Sequence, residues 1–417
     1  MSEQTNLVPK RRFKEFQNTD AWEQRKLGDL LENAYQGINT AGDKVEYSES
    51  GVKILQSKHI TSGNITFDDA RYLDRDRYSE YLPKYVPNVD DILFANIGTI
   101  GPSAVVTEVK EFLIAWNILK MTPKKESNAK FIQLQLQRLN IKRYFESVTT
   151  GNATKFVNKD EMLRTQIIVP EKKEQSKIGE FFANLDNLIT LHQRKLEKAK
   201  ALKLAYLSEM FPAEGERVPK RRFAGFTDPW EQRKLGELAN FSKGNGYSKG
   251  DLVENGYPII LYGRLYVNYE TVINVIDTFV DIKANSVISE GNEVIVPASG
   301  ETAEDISRAS VVGKPGIILG GDLNIIKPNS KIDPTFLALT ISNGKQQKEM
   351  SKRAQGKSVV HLHNSDLKQV NFLYPELKEQ QKIGQFFVQL DNLITLHQRK
   401  LEKLQNLKKA YLNEMFV

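Results

Sequence analysis

The chain has 417 residues, of which 40% are hydrophobic and 9% aromatic, with a net charge of +7 and a pI near 9.1. That length exceeds what one core organises, so two or three domains are expected, and the positive balance suits a polyanionic partner, although many basic proteins bind no nucleic acid. The absence of cysteine excludes disulfides, thiolate zinc sites and cysteine nucleophiles. The N-terminus MSEQTNLVPKRRF lacks the apolar core of a signal peptide, and no run of about 18 apolar residues is present to span a bilayer, so a soluble cytoplasmic protein with no membrane partner is expected.

In chain order, residues 1–25 form a basic-aromatic lead with Lys10, Arg11 and Arg12 followed by Phe13, Phe16 and Trp22. The three cations either touch phosphates or form a plain basic surface run; the aromatics read as packing anchors. Residues 26–170 hold β-like stretches separated by turn signals, such as Asp91 to Val106 (DILFANIGTIGPSAVV), a helical pattern from Ala129, and a last strand, QIIVP, ending at Pro170. Residues 171–211 carry the periodicity of a long amphipathic helix. Leu185, Ile189, His192, Leu196 and Ala199 recur in steps of four and three, a coiled-coil seam broadened by Leu188, Leu202, Tyr206 and Leu207.

The same sequence of parts then repeats. Residues 212–233 are a short polar linker and a second lead with Lys220, Arg221, Arg222, Phe223, Phe226 and Trp230. Residues 234–375 form a second globule with a helical pattern from Pro334 and a last strand, NFLYP, and residues 376–417 form a second helix with Leu390, Ile394, His397, Leu401 and Leu404 on its seam. The string LDNLITLHQRKLEK occurs unchanged from Leu185 and from Leu390, while the two intervening globules differ almost throughout. The chain is therefore a tandem duplication, an α+β arrangement of two mixed globules joined by two helices whose simplest burial is against each other.

The leads RRF..F...WEQRKLG, the PE.KEQ.KIG entry to each helix and LDNLITLHQRKLEK together resemble the specificity subunit of a type I restriction-modification system, and the resemblance covers essentially the whole chain. It implies two target-recognition domains, each reading half of a split sequence in double-stranded DNA, and an antiparallel, pseudo-twofold coiled coil that spaces them and docks two methyltransferase subunits. It also implies restriction subunits in the full complex, with S-adenosylmethionine, ATP and magnesium carried by partners and no cofactor or metal on this chain. Identical helices with divergent globules make independent sense, since equal helix faces suit two copies of one partner.

Candidate DNA contacts follow from residue type, because Arg and Lys pair with phosphates or guanine edges and small polar groups with either. In the first globule they are Lys58, Arg71, Tyr72, Arg75, Arg77, Asn96, Thr99, Thr150, Asn152 and Lys155. In the second they are Tyr262, Arg264, Tyr266, Ser299, Thr302, Arg308, Lys357 and Ser358. Each has the competing reading of a solvated rim or packed tyrosine, and the Gly-rich loops NIGTIG and ASGETAED read equally as plain turns or as DNA-facing loops. His361 and His363 fall on one side of a strand without a third ligand at a useful spacing, so a structural or DNA-contacting pair is favoured over a metal site.

A self-sufficient methyltransferase is disfavoured because no polar-Pro-Pro-aromatic string is present, Asp228-Pro229-Trp230 having one proline. The GKS at Gly356 lacks the first glycine of a phosphate loop, Ser351 standing there instead. Catalysis is thus expected from other chains. A coiled-coil scaffold without DNA recognition is the alternative, and it leaves two basic, divergent globules without a purpose.

Overall fold

The computed structural model describes residues 7–151, 154–303, 305–353 and 360–417, and the chain divides into two units, Met1–Leu191 with Lys400–Val417, and His192–Arg399. The first contains β1 (Glu23–Lys26), β2 (Leu31–Gln36), β3 (Val52–Leu55), β4 (Arg71–Leu73), β5 (Ile92–Ala95), β6 (Ser103–Val105), β7 (Leu113–Ile114) and β8 (Ile118–Pro123). There follow α1 (Ala129–Ile141), α2 (Tyr144–Ser147), α3 (Lys159–Arg164), β9 (Gln166–Val169) and the long helix α4 (Lys172–Glu209), of which the part through Leu191 belongs to this unit. Its sheets have the orders β2-β8-β5-β6, β4-β3-β7 and β1-β9. The interior strand β5 is buried along its whole length, which is why ILFA reads as an unbroken apolar run. Helix α1 starts where the Asn128 side chain accepts the Phe131 amide at 2.9 Å, buries Phe131, Ile132, Leu134 and Leu136, and is followed by Arg143 in the left-handed region at φ 61°.

The second unit repeats the plan with β10 (Glu231–Lys234), β11 (Ala239–Lys243), β12 (Leu252–Val253), β13 (Tyr257–Ile260), α5 (Arg264–Val267), β14 (Val272–Ile273), β15 (Phe279–Val280), β16 (Val294–Pro297), β17 (Ser299–Gly300) and β18 (Ser310–Val312). It continues through β19 (Ile318–Leu319), β20 (Leu323–Pro328), α6 (Pro334–Ile341), α7 (Gly344–Arg353), β21 (Val360–His361), α8 (Asn364–Lys368), β22 (Asn371–Tyr374) and the second long helix α9 (Leu377–Glu414), of which the part through Arg399 belongs to this unit. The main sheet runs β11-β20-β16-β18-β14. Helix α6 is capped by Asp333, whose carboxylate accepts the Phe336 amide at 2.9 Å, with Pro334 in its first turn.

Each lead is woven into its globule. Strand β1 pairs antiparallel with β9, Glu23 opposite Val169, and β10 pairs with β22, Glu231 opposite Tyr374. The boundaries expected between 25 and 26 and between 233 and 234 fall inside these strands, because EQRK carries four polar side chains with no apolar alternation to announce a strand. The lead aromatics pack as anchors: the Trp22 ring lies 5.7 Å from Phe131 and 6.0 Å from Phe416, and Trp230 lies 5.4 Å from Phe336 and 6.0 Å from Phe211. Each globule is thus closed by the beginning of one long helix and the end of the other.

Arg12 and Arg222 of the leads are committed to this closure and not to phosphates. Arg12 donates to both oxygens of Glu174 at 2.7 and 2.6 Å, and Arg222 does the same to Glu379 at 2.8 and 2.6 Å. These pairs are almost fully buried, and the carboxylate hydrogen bond holds each guanidinium above its ordinary pKa. Arg11 pairs with Glu414 at 2.6 Å and Arg221 with Glu209 at 2.5 Å.

Rising positions in α4 meet falling positions in α9, so the helices pack antiparallel. Asp186 pairs with Lys408 at 2.6 Å in the first unit; His192 meets His397 at 3.0 Å between Nδ1 atoms, and Lys203 pairs with Asp391 at 2.5 Å, in the second. Leu185, Leu196, Ala199, His397 and Leu401 are buried, while Ile189, His192, Leu390 and Ile394 are half-buried. Leu188 and Leu202 do not widen the buried seam: they and their counterparts Leu393 and Leu407 are exposed, because a two-helix contact covers only a narrow stripe. Tyr206 and Leu207 pack against the core of the second unit.

The same acid anchors each globule to the helices. Asp186 accepts Lys130 of α1 at 2.8 Å, and Asp391 accepts the Thr271 hydroxyl at 2.7 Å. Burial lowers the Lys130 ammonium below its usual range.

Candidate nucleic-acid interface

In the first unit four parts of the chain meet at one end of the sheets: the turn after β3, the β5–β6 turn, the β7–β8 turn and residues 150–151 with 154–157. Asn96 is the hub. Its backbone amide donates to Asn117 O at 3.3 Å, its carbonyl accepts Val157 N at 2.9 Å, and its side chain exchanges hydrogen bonds with Gln36 at 2.7 and 3.2 Å and donates to Val157 O at 3.0 Å. Gly98 N reaches Lys155 O at 3.1 Å, Thr150 and Phe156 exchange backbone bonds at 2.9 and 3.0 Å, and Asn117 Oδ1 accepts Ser57 N at 3.1 Å. The framework is held by these hydrogen bonds, and Lys58, Thr99, Thr150 and Lys155 stand exposed around it.

The structure therefore brings Lys58, Asn96, Thr99, Thr150 and Lys155 together, but it gives Asn96 a different task. At 2% exposure its amide is spent inside the protein, so it holds the turn and reads no base. The run from Arg71 to Arg77 is split. Arg71 lies opposite Ile54, towards the end of β3 that leads to Lys58, with its guanidinium 4.4 Å from the Tyr47 ring, and Tyr72 beside it is half-buried. Arg75 and Arg77 follow β4 at its other end and pair with Glu111 and Glu46. Such exposed pairs are worth little and exchange readily for a phosphate.

The second unit builds the same frame from other residues. Ser299 of β17 pairs with His361 of β21 as Ile97 bridges to Phe156, Leu362 N donates to Ala298 O at 3.0 Å, and Ala298 N donates to Asp322 O at 2.7 Å. Ser299 is buried, and its carbonyl accepts the Tyr266 hydroxyl at 2.5 Å. Burial, with Asp305 nearby, pushes the Tyr266 phenol up, which keeps it a donor. Arg264 is locked by Glu270 at 2.7 Å, Asp277 at 2.9 Å and Val275 O at 3.0 Å. Tyr266 and Arg264 are thus tied into the scaffold, and Ser299 is buried within it.

Tyr262 and Thr302 are exposed, the latter donating to Asp305 at 2.7 Å, and Arg308 is half-exposed 3.9 Å from Asp305. Asn152, Lys357 and Ser358 lie outside the described residues. His361 and His363 do share a face, their rings parallel within 2° at 6.3 Å, and both are exposed. Among the described residues no group of three metal-ligating side chains occurs, and no helix is long and apolar enough to cross a membrane.

Two further features are exposed. Trp116, at the β7–β8 turn, is 40% exposed, and only its place inside the apolar string FLIAWNILK concealed it. On α4, Leu188, Leu191, Lys195 and Leu202 lie on one helical face by their spacing, and Leu393, Leu396, Lys400 and Leu407 repeat that face on α9; all eight are exposed.

The family model for the type I restriction modification DNA specificity domain matches residues 19–201 and 227–406. The type I restriction enzyme MjaX specificity subunit of Methanocaldococcus jannaschii is 24% identical over 412 residues, 94% of this chain and 92% of the relative. The MjaVIII specificity subunit of the same organism is 23% identical over 281 residues, 65% of each chain. The crystal structure of a type I restriction-modification system S subunit from M. genitalium matches 98% of this chain and 99% of its own with a TM-score of 0.64 at 15% identity, a likeness of fold.

Proposed function

The chain belongs to the type I restriction-modification DNA specificity family and serves DNA target recognition, and from that premise we propose that each globule reads one half of a bipartite duplex while the duplicated helices dock two methyltransferase subunits. The observation that carries the reading is one hydrogen-bonded frame presenting different side chains in the two units: Lys58, Thr99, Trp116 and Lys155 in the first, Tyr262, Thr302 and His361 in the second. Conserving the frame fixes where the side chains stand; changing the side chains changes which base edges are met.

The exposed Leu–Lys faces support the docking half of the proposal. An apolar stripe repeated on two helices fits two copies of one partner, and lysines beside the leucines suit an acidic rim on it. Adenine methylation is the partners' chemistry, supplied by S-adenosylmethionine bound there. This chain contributes position: it holds the target base pairs in register with subunits anchored on its helices, without catalytic residues of its own. Restriction subunits with ATP and magnesium complete the system, and its place is the cytoplasm.

A gel-shift titration of the chain with its methyltransferase partner, at fixed salt, tests this. Retention of a target duplex over a scrambled one by about 10³-fold or more is expected, weakening steeply as salt rises. Equal retention of both duplexes overturns the proposal in favour of a scaffold without DNA recognition.

A further inference from the structure

Building on the reading that the first unit recognises one half-site, we propose that Trp116 is a specificity-determining residue of that half-site, packing its indole against base edges in the groove. Trp116 N donates to Ile38 O at 2.7 Å and the Gln36 amide donates to Trp116 O. Residues 36–38 run so close to this turn that a Cβ on Gly37 would lie 2.4 Å from the carbonyl oxygens of Ile114 and Ala115. The next residue, Asn117, is tied to Asn96 and Ser57. The turn is therefore fixed in advance, and an aromatic presented from a fixed turn loses little freedom on binding.

The indole belongs to none of the buried cores. The chain has three tryptophans; Trp22 and Trp230 are 2% and 1% exposed in the cores, and Trp116 is 40% exposed. It stands in the same cluster of turns as Lys58, Thr99 and Lys155, cationic and polar groups suited to phosphates on either side of a base contact.

The second unit provides an internal comparison. Asn96 N to Asn117 O corresponds to Ala298 N to Asp322 O, and Ala115 N to Leu55 O corresponds to Gly320 N to Ile260 O, so Gly321 occupies the place of Trp116. These two backbone bonds are kept and the side chain is exchanged from the largest to none. A residue needed for the fold would not tolerate that exchange; a residue that sets which bases are accepted is where the two units are required to differ. An indole offers a flat apolar face for a thymine methyl or an unstacked base and one N–H donor for an acceptor at the base edge.

The test uses the complex of the full chain with its methyltransferase partner and a panel of duplexes carrying single base-pair changes in either half-site. Trp116→Ala is expected to reduce discrimination within the first unit's half-site by about 10–100-fold, leave discrimination in the other half-site unchanged, and leave the melting temperature unchanged. Trp116→Phe is expected to retain most of the discrimination. In the parent complex, target duplex is expected to shield a tryptophan signal from acrylamide that is missing in Trp116→Phe. Unchanged discrimination in Trp116→Ala, or an equal loss of affinity on every duplex including scrambled DNA, overturns the assignment. If the parent complex shows no half-site discrimination at all, it is the recognition reading itself that fails.

Discussion

Glu174→Ala destabilises the first unit by about 3–5 kcal/mol, because it strands the Arg12 guanidinium in a site where both partners are nearly excluded from water. Two further bonds remain to Arg12, to Thr19 O at 3.2 Å and Asp20 O at 3.1 Å, which places the cost towards the lower end of that range. For a unit of this size each kcal/mol moves the midpoint by about 2–4 °C, so a drop of about 6–12 °C is expected in the calorimetric transition of that unit. Replacing both partners, as Arg12→Met with Glu174→Leu, removes the stranded charge and returns the transition to within about 4 °C of the parent. A single Glu174→Ala change that shifts the transition by less than about 2 °C contradicts a closing role for the pair. The equivalent pair Arg222–Glu379 predicts the same pattern for the second unit.

The second large effect concerns assembly. Leu191 and Leu396 are 45% and 46% exposed in the chain alone, so replacing either by aspartate leaves the fold within about 0.5 kcal/mol of the parent. If these leucines are buried by a docked methyltransferase subunit, an unpaired carboxylate at the centre of the contact weakens it by about 100-fold or more. Native mass measurement is expected to find two partner copies on the parent chain, one on Leu191→Asp or Leu396→Asp, and none on the double variant. Two copies retained on the double variant at parental affinity would place docking elsewhere on the chain.

How far the sequence foretold this molecule varied with the kind of signal involved. The helices were legible because an unchanged repeat of seam positions leaves few alternatives, and the antiparallel pairing of α4 with α9 follows it. Strands such as β5 were legible as apolar runs bounded by turns. The EQRK strands were not, since strand position there is imposed by ladder bonds to β9 and β22 and not by side-chain pattern. Outer leucines such as Leu188 were assigned to the buried stripe because periodicity gives the direction of a face, not the width of what covers it. At the interface, residue type revealed hydrogen-bonding capacity without direction. Asn96, Ser299, Tyr266 and Arg264 have the chemistry of base or phosphate contacts, yet their partners are within the protein. Trp116 has the chemistry of a core residue and stands outside it.

Each unit is proposed to read its own half-site. The first globule is closed by the hydrogen bond from Leu27 N to Thr165 O at 2.8 Å, so the segment from Leu27 to Thr165 can be exchanged for that of a relative while β1, β9 and both helices stay in place. Methylated-adenine mapping of DNA from cells carrying the exchanged chain and its methyltransferase partner then gives the recognised sequence directly. The account predicts that one half of the bipartite motif changes to that of the donor and the other half is retained; a motif in which both halves change, or neither does, would contradict it.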